Sequence, residues 1–292
     1  MQLALTGATG FIGGHFISAA VRHGYEIIAF SRDAGRIVPG CIATRRFALG
    51  EPPDFSGCAA IIHLAGENVA GLWTRRKMQR VRDSRILGTR RVAEAIRAMD
   101  PPPEVLISAS AAGFYGDGGD SEITESFPGG TGFLGQTCRD WEGETAGLPC
   151  RVVLPRIGLV LGSGGGALPL MARAFRCCLG AQLGDGNQWM PWIHAADLAR
   201  LLLFALGNLD IRGPLNAVAP WPVQNAAFTR ALASAVRRPA PWRIPAFVLR
   251  MMFGKFAREL LDSKRIVPAT ATAHGFGFLF PELGPALKDT LA

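Results

Sequence analysis

The stretch Leu3-Ala-Leu-Thr-Gly-Ala-Thr-Gly-Phe-Ile-Gly-Gly14 constrains the fold of this chain more than any other. An apolar run passes straight into Gly7, Gly10 and Gly13, and then into a helical pattern of Phe11, Ile12, Phe16, Ile17, Ala20 and Val21. A first glycine at this spacing permits a tight turn off a strand, a second lets backbone approach a pyrophosphate, and a third lets the helix pack closely on the sheet. The helix start then aims free N–H groups at the anion. Glycines also serve turns for purely conformational reasons. A strand before and an apolar helix after favour a dinucleotide site, with Gly7, Thr9, Gly10, Phe11, Ile12 and Gly13 as its contacts.

Short buried-strand patterns then alternate with helical ones, the order of an α/β, Rossmann-type doubly wound parallel sheet. At 292 residues and 49% hydrophobic, the chain can bury one large α/β core with a smaller lobe, whereas two large independent domains would be crowded. The expected division is a dinucleotide-binding domain over 1–165, a return to it over 190–212, and a smaller C-terminal helical cap or substrate domain over 166–292.

Tyr25 to Phe30 is the second strand, and Ser31-Arg32-Asp33 at its end bears on the cofactor. Folds of this kind offer an acidic side chain here to the ribose of NAD, or arginine to the 2′-phosphate of NADP. Ser31 and Arg32 favour NADP (NADPH when reduced), while Asp33 keeps NAD in play. Ala59 to Ala65 is a strong buried strand running into Gly66-Glu67-Asn68. Leu64, Ala65 and Gly66 would let ribose and phosphates lie against backbone, with Glu67 at the mouth. From Trp73 to Met99 runs a long helical pattern whose apolar face passes through Met78, Val81, Gly88, Val92, Ile96 and Met99. Arg85 falls on that face, and a buried arginine needs an anionic partner, here a cofactor phosphate or a core carboxylate.

Pro101-Pro-Pro103 stops the helix. Glu104 to Ser110 is another buried strand, delivering Ser108 and Ser110 to the same sheet edge, and a bend with Tyr115 follows. Asp117 to Gly132 is polar and glycine-rich, long enough for a substrate lid. The helical pattern from Phe133 to Ala146 stacks Leu134, Cys138, Trp141 and Glu142. Arg151 to Pro155 is a strand that Arg156 to Leu161 continues, and Pro155 is counted with the cofactor contacts. Gly162-Ser-Gly-Gly-Gly-Ala167 opens another helix, as a second anion site or as a flexible crossing into the cap. His194, before a helical pattern from Asp197 to Leu206, either faces the pocket or is a structural partner of Asp197. Beyond Asn216, helices near 225–236, 246–261 and 282–291 are expected to cover the strand ends.

The formal charge of +8 invites a nucleic-acid reading, since residues 75–91 hold Arg75, Arg76, Lys77, Arg80, Arg82, Arg85, Arg90 and Arg91 against Asp83 alone. No nucleic-acid motif accompanies them, so surface arginine on a long helix is expected and a nucleic-acid partner is not. The apolar run at Leu198 to Leu206 carries Arg200 and is too short to cross a bilayer, and Gln2 to Thr6 lacks the features of an export signal. Six cysteines are scattered without C-x-x-C pairs or nearby histidine ladders. Neither a metal site nor a disulfide framework is expected, and a reducing cytoplasm fits best.

Thr6-Gly-Ala-Thr-Gly-Phe-Ile-Gly13, His63-Leu-Ala-Gly66, Ser108-Ala-Ser-Ala-Ala-Gly-Phe-Tyr-Gly116, Arg156 with Gly162, and Trp192-Ile-His-Ala-Ala-Asp197 occur in that order. With them the chain resembles the extended short-chain dehydrogenase/reductases, the NAD(P)-dependent epimerases and dehydratases. Gly66-Glu-Asn68, Ser84-Arg85, Phe133-Leu134 with Cys138 and Trp141-Glu142, Gly184 to His194, Gly275-Phe276 and Phe280-Pro-Glu-Leu283 are similar to the "epimerase family protein" (SulA-like) group, whose substrate is unknown.

The resemblance implies a tyrosine and a lysine four apart on a helix, the lysine and nicotinamide lowering the phenol's pKa from about 10 so that it can serve as acid or base. Here Leu134 stands where tyrosine belongs and Cys138 where lysine belongs. Ala111 likewise takes the usual hydroxyl position, with Ser110 its nearest substitute. Of the two tyrosines, Tyr25 lies at a strand start on the far side, so phenol chemistry must use Tyr115, whose alternative is a packed aromatic with a satisfied hydroxyl. The catalytic candidates are Ser110, Tyr115, Glu67 and His194.

Two functions follow. One is an NADP-dependent oxidoreductase of the epimerase/dehydratase type acting on an unknown small carbonyl or hydroxyl substrate. The other is a non-catalytic NADP(H)-binding redox sensor or scaffold, signalling through 117–132 or the cap. Sugar-nucleotide epimerisation ranks third, because returning a proton to the same hydroxyl is where a tuned base is hardest to forgo.

Overall fold

The apolar runs of the first half form strands and the segments between them helices, in the order β1 (Gln2–Thr6), α1 (Phe11–Arg22), β2 (Glu26–Ser31), β3 (Ala43–Arg46), β4 (Ala60–His63), α2 (Arg75–Arg97), β5 (Val105–Ser108), β6 (Ser110–Ala111), β7 (Glu122–Ile123) and α3 (Phe133–Gly143). The chain continues through β8 (Arg151–Ile157), β9 (Leu159–Leu161), α4 (Leu168–Arg176), β10 (Ala181–Leu183), β11 (Trp189–Met190), β12 (Trp192–His194), α5 (Ala195–Gly207) and β13 (Gly213–Ala217). The remainder holds β14 (Val223–Gln224), α6 (Asn225–Ala235), β15 (Trp242–Ile244), α7 (Ala246–Phe253), α8 (Ala257–Leu261), β16 (Arg265–Ile266), α9 (Ala269–Ala273) and α10 (Leu283–Leu291).

In this computed structural model, which describes residues 1–69 and 71–291, the central sheet has eight strands in the order β13-β8-β5-β4-β1-β2-β3, with β6 alongside β8. Its ladders are all parallel. The strand order reverses between neighbours β1 and β4, and in open α/β sheets a ligand crevice opens beyond the carboxyl ends at such a point.

Strand side chains alternate between two faces, as the pleat requires. Leu3, Leu5, Ile27, Ala60, Ile62, Val105, Ile107 and Val153 pack with α1 and α5. Ala4, Ile28, Phe30, Ile61 and Leu106 meet Val92, Ala95 and Ile96 of α2 on the other face. Each large apolar side chain so buried contributes roughly 2 kcal/mol. A further cluster joins α4, α6 and α10 through Leu168, Phe175, Phe228, Leu232, Leu283 and Leu287.

Three expectations change. The strand expected over 151–161 breaks at Gly158: β8 stays in the central sheet, while β9 pairs with β12. A Cβ on Gly158 would stand 2.8 Å from the Pro191 carbonyl oxygen, so the close crossing requires glycine. Residues 213–217, to which the sequence reading gives no element, form β13 beside β8. The helix expected over 246–261 is divided at Gly254, whose φ is +55°.

The loop 117–132 is fastened to the C-terminal segment. β7 pairs with β16, Gly118 N donates to the Ser263 carbonyl (2.8 Å), and Trp189 Nε1 donates to Asp120 (2.9 Å). Among the described residues no helix is long and apolar enough to cross a membrane, and no group of His, Cys, Asp and Glu could hold a metal ion.

Candidate functional site

The glycine turn sits at the reversal point. Gly7 has φ +72°, and a Cβ there would stand 2.8 Å from the Leu64 carbonyl carbon. A Cβ on Gly13 would collide with the Gly7 carbonyl oxygen. The turn is therefore pressed against the loop after β4, and Ala65 N donates to Thr6 Oγ1 (3.2 Å) to fix the two together. Gly10 is the N-cap of α1 and makes no side-chain cap bond, so the first-turn N–H groups are directed out of the helix end, where they suit a phosphate. Thr9 and Gly10 are exposed, Phe11 and Ile12 half-buried.

Phe11 also explains the second glycine run. A Cβ on Gly162 or Gly165 would come within 2.7 or 2.8 Å of the Phe11 side chain, so 162–166 is small because it wraps that ring. The helix expected to open at Gly162 begins only at Leu168.

At the end of β2, Ser31 is half-buried and Arg32 exposed. Asp33 turns to its own loop and accepts from Gly35 N (3.0 Å). Glu67 Oε1 takes Lys77 Nζ at 3.0 Å and Arg80 Nε at 3.7 Å. The Lys77 hydrogen bond, with the charges of Lys77, Arg80 and Arg32, holds the Glu67 carboxyl below its ordinary range. Arg85 does point inward, and burial lowers its pKa. Its NH1 donates to the Glu67 and Val81 carbonyls (2.9 and 3.1 Å) and to no carboxylate among the described residues. Its guanidinium lies 5.3 Å from the Trp141 ring centroid.

Beneath the crevice is a buried polar layer. Thr6 Oγ1 lies 2.7 Å from His63 Nδ1, and His63 Nε2 lies 3.1 Å from Thr89 Oγ1. Burial pushes His63 down to about 4. Ser108 Oγ and Trp141 Nε1 are buried without a hydrogen-bond partner among the described residues.

Helix α3 carries the replaced pair. A Cβ on Gly113 would meet Leu134 at 3.0 Å, so Leu134 is packed onto the bend before Tyr115. Cys138 is buried, and burial pushes its thiol up to about 12. One turn further, Glu142 accepts the Ser110 hydroxyl at 2.6 Å and a bidentate pair from Arg156 Nε and NH2 at 3.0 and 2.9 Å. Arg156 NH1 donates to Tyr115 OH (2.9 Å) and the Glu125 carbonyl (3.2 Å), and its guanidinium lies 3.4 Å from the Phe114 ring centroid. Tyr115 OH in turn donates to Asn216 Oδ1 (2.6 Å).

Tyr115 is thus enclosed, its hydroxyl engaged as donor and acceptor. Burial, opposed by the Arg156 charge, pushes its pKa up to about 12. Of the two roles open to it from sequence, this geometry matches the packed aromatic. Glu142 was not among the sequence candidates. The signal was its place at i+4 from Cys138 and i+8 from Leu134, on the face where the tyrosine and lysine would stand.

His194 lies elsewhere. Its Nδ1 accepts from Ala196 N (3.2 Å), capping α5, its Nε2 is 3.2 Å from Asp289, and its ring lies 4.0 Å from that of Phe280. Burial lowers its pKa against the pull of Asp289. Asp197, the partner considered from sequence, instead accepts from Arg200 (3.1 Å) and the backbone N–H groups of Leu279 and Phe280 (both 2.8 Å). Pro155 is buried within β8, opposite Leu215. The fold therefore brings Ser110 and Tyr115 into one network through Glu142 and Arg156, while Glu67 turns to α2 and His194 to α10.

A parallel sheet whose strand order reverses beside such a glycine turn has the architecture of a dinucleotide-binding α/β protein. The model of the NAD dependent epimerase/dehydratase family matches residues 3–217, and a domain of unknown function (DUF1731) matches 244–290. The chain belongs to the NAD-dependent epimerase/dehydratase family. It is 37% identical over 300 residues to mouse epimerase family protein SDR39U1, covering 100% of both chains, and 37% identical over 292 residues to an epimerase family protein of Mycobacterium tuberculosis, covering 98% and 96%. The crystal structure of human SDR39U1 (isoform 2) with NADPH superposes with a TM-score of 0.92 at 34% identity, covering 100% of this chain and 99% of that one.

Proposed function

We propose that this protein binds NADP(H) in the crevice at β1 and β4 and acts as an oxidoreductase on a small carbonyl or hydroxyl substrate. Gly7, Thr9, Gly10, Phe11, Ile12 and Gly13 would hold the pyrophosphate, Leu64 to Gly66 the ribose, and Arg32 the 2′-phosphate; NADPH in the human relative's crystal structure supports the choice of cofactor. Bound there, the nicotinamide supplies or accepts hydride.

The observation that carries the reading is the 2.6 Å bond from Ser110 to Glu142. A serine that gives its proton to a carboxylate keeps oxygen lone pairs for a second donor. In the oxidising direction the substrate hydroxyl gives its proton to Ser110 Oγ as its C–H bond yields hydride, and Ser110 passes its own proton to Glu142. Reduction reverses each transfer. Hydride transfer mainly requires positioning, so this weaker relay suffices where a tuned phenol is missing.

Purified protein should consume NADPH faster than buffer when offered a panel of aldehydes, ketones and quinones, followed by absorbance. Ser110→Ala and Glu142→Gln should each lower kcat about 100-fold, the usual scale of acid–base assistance, with NADPH affinity unchanged. Equal rates with and without protein across the panel defeat the reading.

Leu134 and Cys138 in place of the proton-transfer pair favour a second reading, NADP(H) binding without turnover, in which the loop fastened by β7 and β16 carries the signal. Hydrogen exchange over 117–132 that is identical with and without NADPH counts against it.

A further inference from the structure

Glu67 follows the carboxyl end of β4, and its carboxylate is paired with cations. Lys77 and Arg80 reach it from the first turns of α2, and Arg32 follows β2, which flanks β1 on the side opposite β4. Two cations of α2 thus meet one carboxylate, with the Arg32 position one strand away across β1.

This differs from a loose surface ion pair. Glu67 is pinned through its backbone, its N–H donating to Ser84 Oγ (3.0 Å) and its carbonyl accepting from Arg85 (2.9 Å). The Lys77 side chain is only 15% exposed, and Lys77 N bonds to Thr74 Oγ1 (3.2 Å), fixing the helix start. The backbones that bear the carboxylate and Lys77 are therefore fixed separately, and the side chains meet through the ion pair.

In sheets of this order the dinucleotide lies across the strand ends at the reversal point, its adenosine ribose at the end of the strand that precedes Arg32, and Glu67 follows β4 on the other side of β1. A nucleotide carrying a 2′-phosphate brings a dianion into this crevice, within which Lys77 and Arg80 are the cations gathered on Glu67. Arginine meets phosphate through its planar fork and lysine as a point charge.

We propose that Lys77 and Arg80 join Arg32 as the 2′-phosphate site of NADP(H), with Glu67 a resident anion that holds the two α2 cations at the mouth until phosphate takes its place. This rests on the cofactor reading above and gives Glu67 a role in cofactor selection instead of catalysis. Discrimination against NADH is then shared between β2 and α2, and the arginine at the end of β2 is only part of it.

The test is calorimetric titration of the full-length protein with NADPH, NADH and 2′,5′-ADP, folding being checked by circular dichroism. Lys77→Met and Arg80→Gln should each weaken NADPH and 2′,5′-ADP about 10-fold, the scale of one charged hydrogen bond, and shift NADH less than about twofold. Arg80→Lys should restore part of the loss. Glu67→Gln should tighten NADPH about threefold by removing a competing anion, without tightening NADH. If the unaltered protein prefers NADPH and both cation variants keep that preference, the α2 site is refuted while the cofactor reading stands. If the unaltered protein binds neither nucleotide, the cofactor reading falls and the site with it.

Discussion

A guanidinium that is 4% exposed, between a carboxylate, a phenol and a ring face, cannot lose its counter-ion cheaply. Glu142→Ala would leave Arg156 as a buried charge and should cost about 3–5 kcal/mol, read as a lower denaturant midpoint. Glu142→Gln keeps an acceptor oxygen and is the better variant for kinetics. His63 gives a pH test. Its pKa falls from 6.5 to about 4 on folding, so between those values the unfolded chain binds a proton that the native chain excludes. The stability of the neutral form is full above pH 6.5, declines as pH falls towards 4, and levels off below. The loss should reach roughly 3 kcal/mol, and His63→Gln should flatten that part of the stability curve. At this scale the glycines were legible, since the conformation and clearance found at Gly7 and Gly13 are what their spacing demands. Glu142 was less so, because its partners Ser110 and Arg156 lie 32 and 14 residues away and only the folded chain joins them.

Among the elements, α2 depends on its first turn. Thr74 caps it by accepting from Lys77 N, and Thr74→Ala should cost about 1 kcal/mol in a denaturation curve. Strands β1, β4 and β5 were readable because burial on both faces leaves uninterrupted apolar runs. β13 was not, because Gly-Pro-Leu-Asn-Ala carries neither a continuous apolar run nor alternation and is a strand only by pairing with β8. The break at Gly158 was hidden for the opposite reason. Leu159 to Leu161 have the apolar character of a continuing strand, and only the approach of Pro191 sends them to a different sheet.

At the scale of the molecule, the segment before α10 is secured to α5 by one buried carboxylate. Asp197 is 0% exposed and accepts two backbone N–H groups and Arg200. Asp197→Ala should cost about 2–3 kcal/mol by leaving those donors unmet. It should also speed hydrogen exchange over 279–291, while the turn at 7–13 exchanges as before. The glycine collar around Phe11 lies beside the start of α5, where a Cβ on Gly162 would stand 2.7 Å from Ala195 Cβ. Because 162–166 closes on a ring borne by the first residue of α1, the phosphate-facing turn and the entry to α4 share a single mechanical joint. A bulkier residue at Gly165 would displace both together, so the set of the turn at 7–13 and the placement of α4 are inherited as one trait.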